Sequence, residues 1–138
     1  MRKLEDHFCF LMYVTSRAIQ RAYQPELAAQ AITYPQYLVL VLLSEQPALT
    51  VKAIGHWLDL STGTVTPLLK RMDQDGLVSR HRSEADERQV KVAITAAGRA
   101  KRAAISDLPE TLVDKAQLSD DEWATMTKLV HKLMTNLK

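Results

Sequence analysis

The chain has a single cysteine, four glycines and five prolines in 138 residues, and only 6% of it is aromatic. One thiol cannot close an intrachain disulfide, which excludes a small stapled secreted scaffold. So few glycines and prolines exclude collagen-like and low-complexity architectures. The four histidines, His7, His56, His81 and His131, are scattered without ligand spacing, so no metal and no cofactor is expected. Long apolar runs are missing too. The longest, residues 37–43, is far too short to span a bilayer, and no membrane association is expected. Glu5, Asp6 and His7 interrupt the first apolar residues, so there is no signal-peptide pattern and the expected compartment is a reducing cytoplasm.

What remains is an ordinary globular composition, 46% hydrophobic and 25% charged, long enough for one domain with a real core. The net charge is only +2, but its distribution is uneven. Lys70, Arg71, Arg80, Arg82, Arg88 and Lys91 crowd the middle, whereas Asp107, Glu110, Asp114, Asp120, Asp121 and Glu122 come later. A local positive field is what phosphate contacts require.

The hydrophobic periods predict a mainly α chain with a small β hairpin. A first helix is expected over residues 4–23, stopping before Pro25, with Leu4, Phe8, Leu11, Thr15, Ala18 and Ala22 on one stripe. Thr33-Tyr34-Pro35-Gln36 reads as a capping box opening a helix through about residue 44 that is apolar nearly all round, hence central. Thr50 caps a short helix carrying Val51, Ile54, Trp57 and Leu58, and Ser61 caps the next, whose core stripe is Val65, Leu68, Leu69 and Met72. Pro67 inside that helix implies a local bend or a tight first turn rather than a break. Asp75-Gly76 ends it through a left-handed cap, and residues 77–82 and 90–94 pair as an antiparallel ribbon with residues 83–89 at its tip. Thr95 begins a helix interrupted near Pro109, and Ser119 to Glu122 form a second capping box before a final amphipathic helix.

Two short helices followed at once by a basic hairpin suit duplex DNA, one helix lying in the major groove and the hairpin reaching the neighbouring minor groove. The second helix offers Ser61, Thr62, Thr64, Thr66, Pro67, Lys70 and Arg71, with hydroxyls for base edges and then cations for phosphates. The hairpin adds Arg80, Arg82, Asp86 and Arg88. The bland reading is a helical bundle with a solvated charged face; the hydroxyl-rich outer side of the second helix, the hairpin that follows at once, and Asp86-Glu87-Arg88 directly before an alternating strand favour the reader over it.

The segment DERQVKVAITAAG resembles the wing signature of the MarR family of bacterial transcription regulators, matched here by Asp86, Arg88, Thr95 and Gly98. The resemblance implies a winged helix-turn-helix homodimer on a pseudo-palindromic operator. The DNA-binding lobe would span about residues 47–98, and the dimerisation helices about 1–30 and 99–138 of a single domain. It further implies that Arg88 enters the minor groove while Asp86 holds its guanidinium.

A lone cysteine on an apolar helix is most often a small hydrophobic filler. Around Cys9, however, Tyr13 falls one turn along the same helix face, and Tyr23 and Tyr34 lie near the same end of the sequence. Phenol hydroxyls donate to thiolates, and such bonds favour the charged form of the sulfur. CFLMYVTSRAIQRAYQP followed by ITYPQYLVLVLL resembles the organic-hydroperoxide-sensing group within that family, the OhrR subfamily, and the likeness covers most of residues 8–98. It implies that Cys9 is the peroxidatic sensor, that Tyr23 and Tyr34 bond its thiolate across the dimer interface, and that Tyr13 is a neighbouring contact.

The chain departs from that pattern at two points. Some relatives resolve the oxidised thiol with a second cysteine near the C-terminus, and this chain has none. It would therefore finish as a mixed disulfide with a low-molecular-weight thiol. Ser61 stands where relatives often carry Asp. The expected function is a repressor, not an enzyme, released from its operator by organic hydroperoxide. The rival readings are a regulator gated by a phenolic ligand or by general oxidative stress, and, from another class, a thiol peroxidase.

Overall fold

A short 3₁₀ turn, Leu4–Asp6, leads through extended His7 into helix α1, Phe8–Ala29. The computed structural model describes residues 1–105 and 107–138. The helix expected over 4–23 is thus displaced at both ends: it starts later and runs six residues further, with Pro25 inside it. Pro25 forfeits the hydrogen bond to the Arg21 carbonyl, but it lies on a stretch of the helix where Arg21, Gln24 and Pro25 are all exposed. Fully buried Leu27 holds the turn beyond. The helix closes through left-handed Ala31, φ 54°, with the Ile32 amide donating to the Leu27 carbonyl at 3.1 Å and the Ala31 amide to that of Ala28 at 3.0 Å.

Helix α2, Tyr34–Glu45, is the centre of the core. Thr33 and Gln36 form the expected capping box: the Thr33 hydroxyl accepts from the Gln36 amide, and the Gln36 side chain accepts from the Thr33 amide at 3.0 Å. Tyr37, Val39, Leu40, Leu42 and Leu43 are all buried, as an all-round apolar helix requires.

Strand β1, Leu49–Thr50, precedes α3, Val51–Leu58, and α4, Thr62–Gln74, follows a left-handed turn at Asp59, φ 53°. Pro67 leaves α4 unbroken. The carbonyl it crowds belongs to exposed Gly63. Gly76, φ 74°, ends α4, with the Leu77 amide donating to the Met72 carbonyl at 2.9 Å and the Gly76 amide to that of Asp73 at 3.0 Å.

Strands β2, Val78–Arg82, and β3, Val90–Ile94, pair antiparallel, Val78 opposite Ile94 and Arg82 opposite Val90. β1 adds to the other edge of β3, Leu49 opposite Val92, so β3 is central. That third strand has only two residues, too few to show a period in the sequence. Helix α5, Ala96–Ala104, begins at Thr95, whose hydroxyl accepts from the Gly98 amide at 3.1 Å.

By its internal contacts the chain divides into two compact units, Met1–Ser106 and Asp107–Lys138. The second contains α6, Leu108–Ala116, with Pro109 in its first turn, and α7, Asp120–Leu137, opened by the expected box between Ser119 and Glu122. Among the described residues, no single helix is long and apolar enough to cross a membrane.

Candidate DNA-reading face and thiol site

The α3–α4 turn depends on Gly55. A Cβ there would stand 2.8 Å from the Leu60 carbonyl oxygen, closer than packed atoms tolerate. This glycine lets the two helices of the reader approach, and the sequence reading passed over it. Thr50 caps α3 as expected, accepting from the Ala53 amide at 3.0 Å. Ile54, Val65, Leu69 and Met72 are buried beneath the pair. Trp57, three residues on from Ile54 in the apolar pattern of α3, is 60% exposed.

On the outer side of α4, Thr62, Thr64, Pro67, Lys70 and Arg71 are exposed and Thr66 is half-buried. Ser61 sits at the N-cap, but its hydroxyl lies 3.2 Å from that of Thr64 instead of capping a backbone amide. This differs from the expected cap and leaves a linked hydroxyl pair at the head of the helix. Arg71 forms a solvated pair with Asp75 at 3.5 Å.

The ribbon corrects one further expectation and gives Arg80 an intrachain partner. Arg80 is turned inward: its Nε donates to Asp73 Oδ2 on α4 at 2.9 Å. Asp86 does not grip the Arg88 guanidinium; its Oδ1 accepts from the Arg88 backbone amide at 3.0 Å, and among the described residues no ion pair joins the two. The carboxylate shapes the tip, as an Asx turn does, and leaves the Arg88 side chain exposed and projecting. Arg82 ties the end of β2 to the tip, its Nη1 donating to the Glu87 carbonyl at 2.8 Å.

Thr95 and Gly98 hold the fold together here. The Thr95 hydroxyl donates to the Gly76 carbonyl at 2.6 Å, which fastens α5 to the end of α4. A Cβ on Gly98 would collide with the Leu77 carbonyl oxygen.

Cys9 is exposed in the first turn of α1. Tyr13, one turn on, is 61% exposed, with the Arg17 guanidinium 5.6 Å from its ring centre. Tyr23 is buried and Tyr34 half-buried, and their ring centres lie 5.8 Å apart. Tyr37 continues the stack at 6.1 Å from Tyr34, with Arg102 over its outer side at 5.7 Å. The sequence reading missed Tyr37 and Arg102, which only the packing of α2 against α5 reveals. Burial pushes the phenols of Tyr23, Tyr34 and Tyr37 above their ordinary value, and mutual repulsion between ionised rings adds to the shift at Tyr23 and Tyr34. At Tyr37 burial outweighs the opposing pull of Arg102.

Tyr23 and the thiol are not together within one chain. Cys9 and Tyr23 occupy the same helix fourteen residues apart, a rise of about 21 Å. Between them a cleft of about 150 Å³ is lined by Met12, Thr15, Ser16, Ile19, Gln20 and Tyr34.

Comparison with known proteins agrees with this architecture. The MarR family profile matches residues 32–90. The organic hydroperoxide resistance transcriptional regulator of Bacillus subtilis (strain 168) is 42% identical over 135 residues, 98% of this chain and 92% of that protein. The structure of reduced AbfR bound to DNA superposes with a TM-score of 0.80 at 34% identity, covering 97% of this chain and 92% of that one. A single-site mutant of MarR from E. coli, complexed with operator DNA, gives a TM-score of 0.80 at 26% identity, covering 89% of this chain and 90% of that one. With a helix-turn-helix braced at Gly55, a three-stranded wing and a regulator so similar along its whole length, this chain belongs to the MarR family of transcription regulators.

Proposed function

We propose that the protein is a homodimeric repressor of the organic-hydroperoxide-sensing type. It grips a pseudo-palindromic DNA operator while Cys9 is reduced and releases it when Cys9 is oxidised. The observation that carries this reading is the arrangement around α1: an exposed thiol in its first turn, and buried Tyr23 about 21 Å along the same helix, where it meets Tyr34 at the head of α2. Pairing Cys9 with Tyr23 requires a second copy. Large apolar side chains left uncovered on the helical ends favour that copy: Leu4, Phe8 and Leu11 on one, Leu129, Met134 and Leu137 on the other.

The chemistry is balanced with two reactants from the cytoplasm. The Cys9 thiolate attacks the terminal oxygen of an organic hydroperoxide. The O–O bond breaks, the alcohol leaves, and the sulfur becomes a sulfenic acid. A low-molecular-weight thiol then displaces water, leaving a mixed disulfide on Cys9. The adduct is too bulky for the seam between the copies, so the recognition helices change spacing. Losing about 3 kcal/mol of operator affinity amounts to more than a hundredfold.

On the DNA, α4 enters the major groove with Ser61, Thr62, Thr64, Thr66 and Pro67 towards base edges and Lys70 and Arg71 towards phosphates. Arg82 and Arg88 reach the adjoining minor groove, whose negative potential attracts guanidinium groups.

The phenolic-ligand reading is the weaker one, because it leaves the exposed thiol of Cys9 without a role. A thiol peroxidase would turn over, whereas a sensor consumes about one equivalent of peroxide per thiol.

The deciding experiment is operator release by the Cys9→Ser variant beside the wild type, with mass spectrometry of Cys9 after cumene hydroperoxide and a small thiol. The Ser variant is expected to bind operator normally and to ignore the peroxide. Normal release of DNA by that variant sinks the sensor assignment, and release by aromatic acids alone moves the signal to a ligand.

A further inference from the structure

Not every arginine of the hairpin is free to meet DNA. Side chains alternate across a strand, so Arg80 shares the face of β2 occupied by Val78, which is buried. Its Nε–H meets Asp73 Oδ2, in the last turn of α4, at 2.9 Å, and the two side chains are only 29% and 36% exposed. The neighbouring Arg71–Asp75 pair is longer, at 3.5 Å, and far more solvated, at 71% and 46%. A short charge-assisted bond in a drier setting holds geometry better than a surface pair. The Asp73–Arg80 bond bridges the Asp75-Gly76 turn, where ribbon and recognition helix meet. The opposite edge of the ribbon is fixed as well, since Val92 pairs with Leu49 just before α3. Arg88 stands at the far tip, where any angular error at the base is magnified.

We propose that Arg80 is a positioning residue. With Asp73 it sets the pitch of the wing against α4, so that Arg88 arrives in the groove beside the one α4 occupies, and it makes no phosphate contact of its own. This rests on the DNA-reading face alone and is independent of the thiol switch.

The two roles predict opposite signs for one substitution. If Arg80 were a phosphate contact held back by Asp73, removing the Asp73 charge would free it and tighten binding. If the pair sets the pitch, the same change loosens binding. The experiment measures operator affinity of the reduced full-length protein across a salt series, by fluorescence anisotropy, for the wild type, Asp73→Asn, Arg80→Met, Arg88→Ala and the Asp73→Asn/Arg88→Ala double variant.

Asp73→Asn and Arg80→Met are expected to weaken binding alike, by about five- to tenfold. The dependence of affinity on salt should stay as in the wild type, because no phosphate contact is lost. Arg88→Ala should reduce the salt slope and should cost less in the Asp73→Asn background than alone, because a misaimed wing no longer delivers that arginine. A general loss of stability would leave the Arg88 penalty intact. Tighter or unchanged binding by Asp73→Asn overturns the proposal. So does a salt slope for Arg80→Met reduced by about one per protomer, the mark of a lost phosphate contact, and so does an Arg88 penalty that ignores Asp73. If Asp73→Asn melts below the assay temperature, Arg80→Lys replaces it: retained affinity overturns the proposal, and weakened affinity with the wild-type salt slope supports it.

Discussion

Tyr23 and Tyr34 meet where α1 and α2 join, ring centres 5.8 Å apart and planes tilted by 43°. Tyr23 is 6% exposed, and Tyr37 extends the stack. Three phenols crowded in one partly buried patch resist ionisation together, and that has a consequence in alkali.

The folded protein holds the phenol protons of Tyr23, Tyr34 and Tyr37 more tightly than the unfolded chain, where their ordinary value is about 10. With more protons bound in the native state, stability must fall as pH rises. The contribution of these phenols is complete below pH about 10 and is lost as pH climbs through their raised folded values. Denaturant unfolding on either side of pH about 10, followed with tyrosinate absorbance, should show the decline, and Tyr23→Phe should flatten it. An equally steep decline in the Phe variant would assign the effect to other groups.

Tyr34→Phe is expected to leave operator binding by the reduced protein intact and to slow oxidation of Cys9 on the order of tenfold, the size of one hydrogen bond to a charged group. Stopped-flow thiol loss with cumene hydroperoxide measures it. Oxidation at the wild-type rate would remove Tyr34 from the thiol site.

Gly98→Ala should destabilise the fold by about 1–3 kcal/mol, because the new methyl collides with the Leu77 carbonyl oxygen, a backbone atom that cannot swing away. The melting temperature should drop by about 5–10 °C, read by circular dichroism. A melting temperature at or above that of the wild type would show that α5 shifts freely at this point.

Much of the reader was visible in the sequence because its signals are local. Thr33 with Gln36, Thr50, Gly76 and the Ser119 box each act within a few residues, and each sits where the pattern placed it. The failures were of another kind. Pro25 reads as a stop because the local pattern cannot show that Leu27 is anchored in the core beyond it. The Asp73–Arg80 bond is hidden from charge read along the chain, because it depends on the alternation of β2 against the last turn of α4. Asp86 was given to the wrong part of Arg88: the residue pair was legible, but the acceptor's choice of the backbone amide was not. Tyr37 and Arg102 escaped notice because their meeting depends on α2 and α5, far apart in sequence.

The unequal fastening of α1 has a mechanical side. Its only buried residues, Tyr23 and Leu27, lie in its second half, and just past its end the Gln30 carbonyl accepts from Lys101 of α5. The helix is therefore a stiff beam of about 33 Å, clamped at one end and largely exposed at the other. A hinge at the clamp of about 5° carries the free tip sideways by about 3 Å, roughly a bond to a neighbouring atom lost or gained. Any small repacking around Leu27 would thus be read out, enlarged, at Phe8.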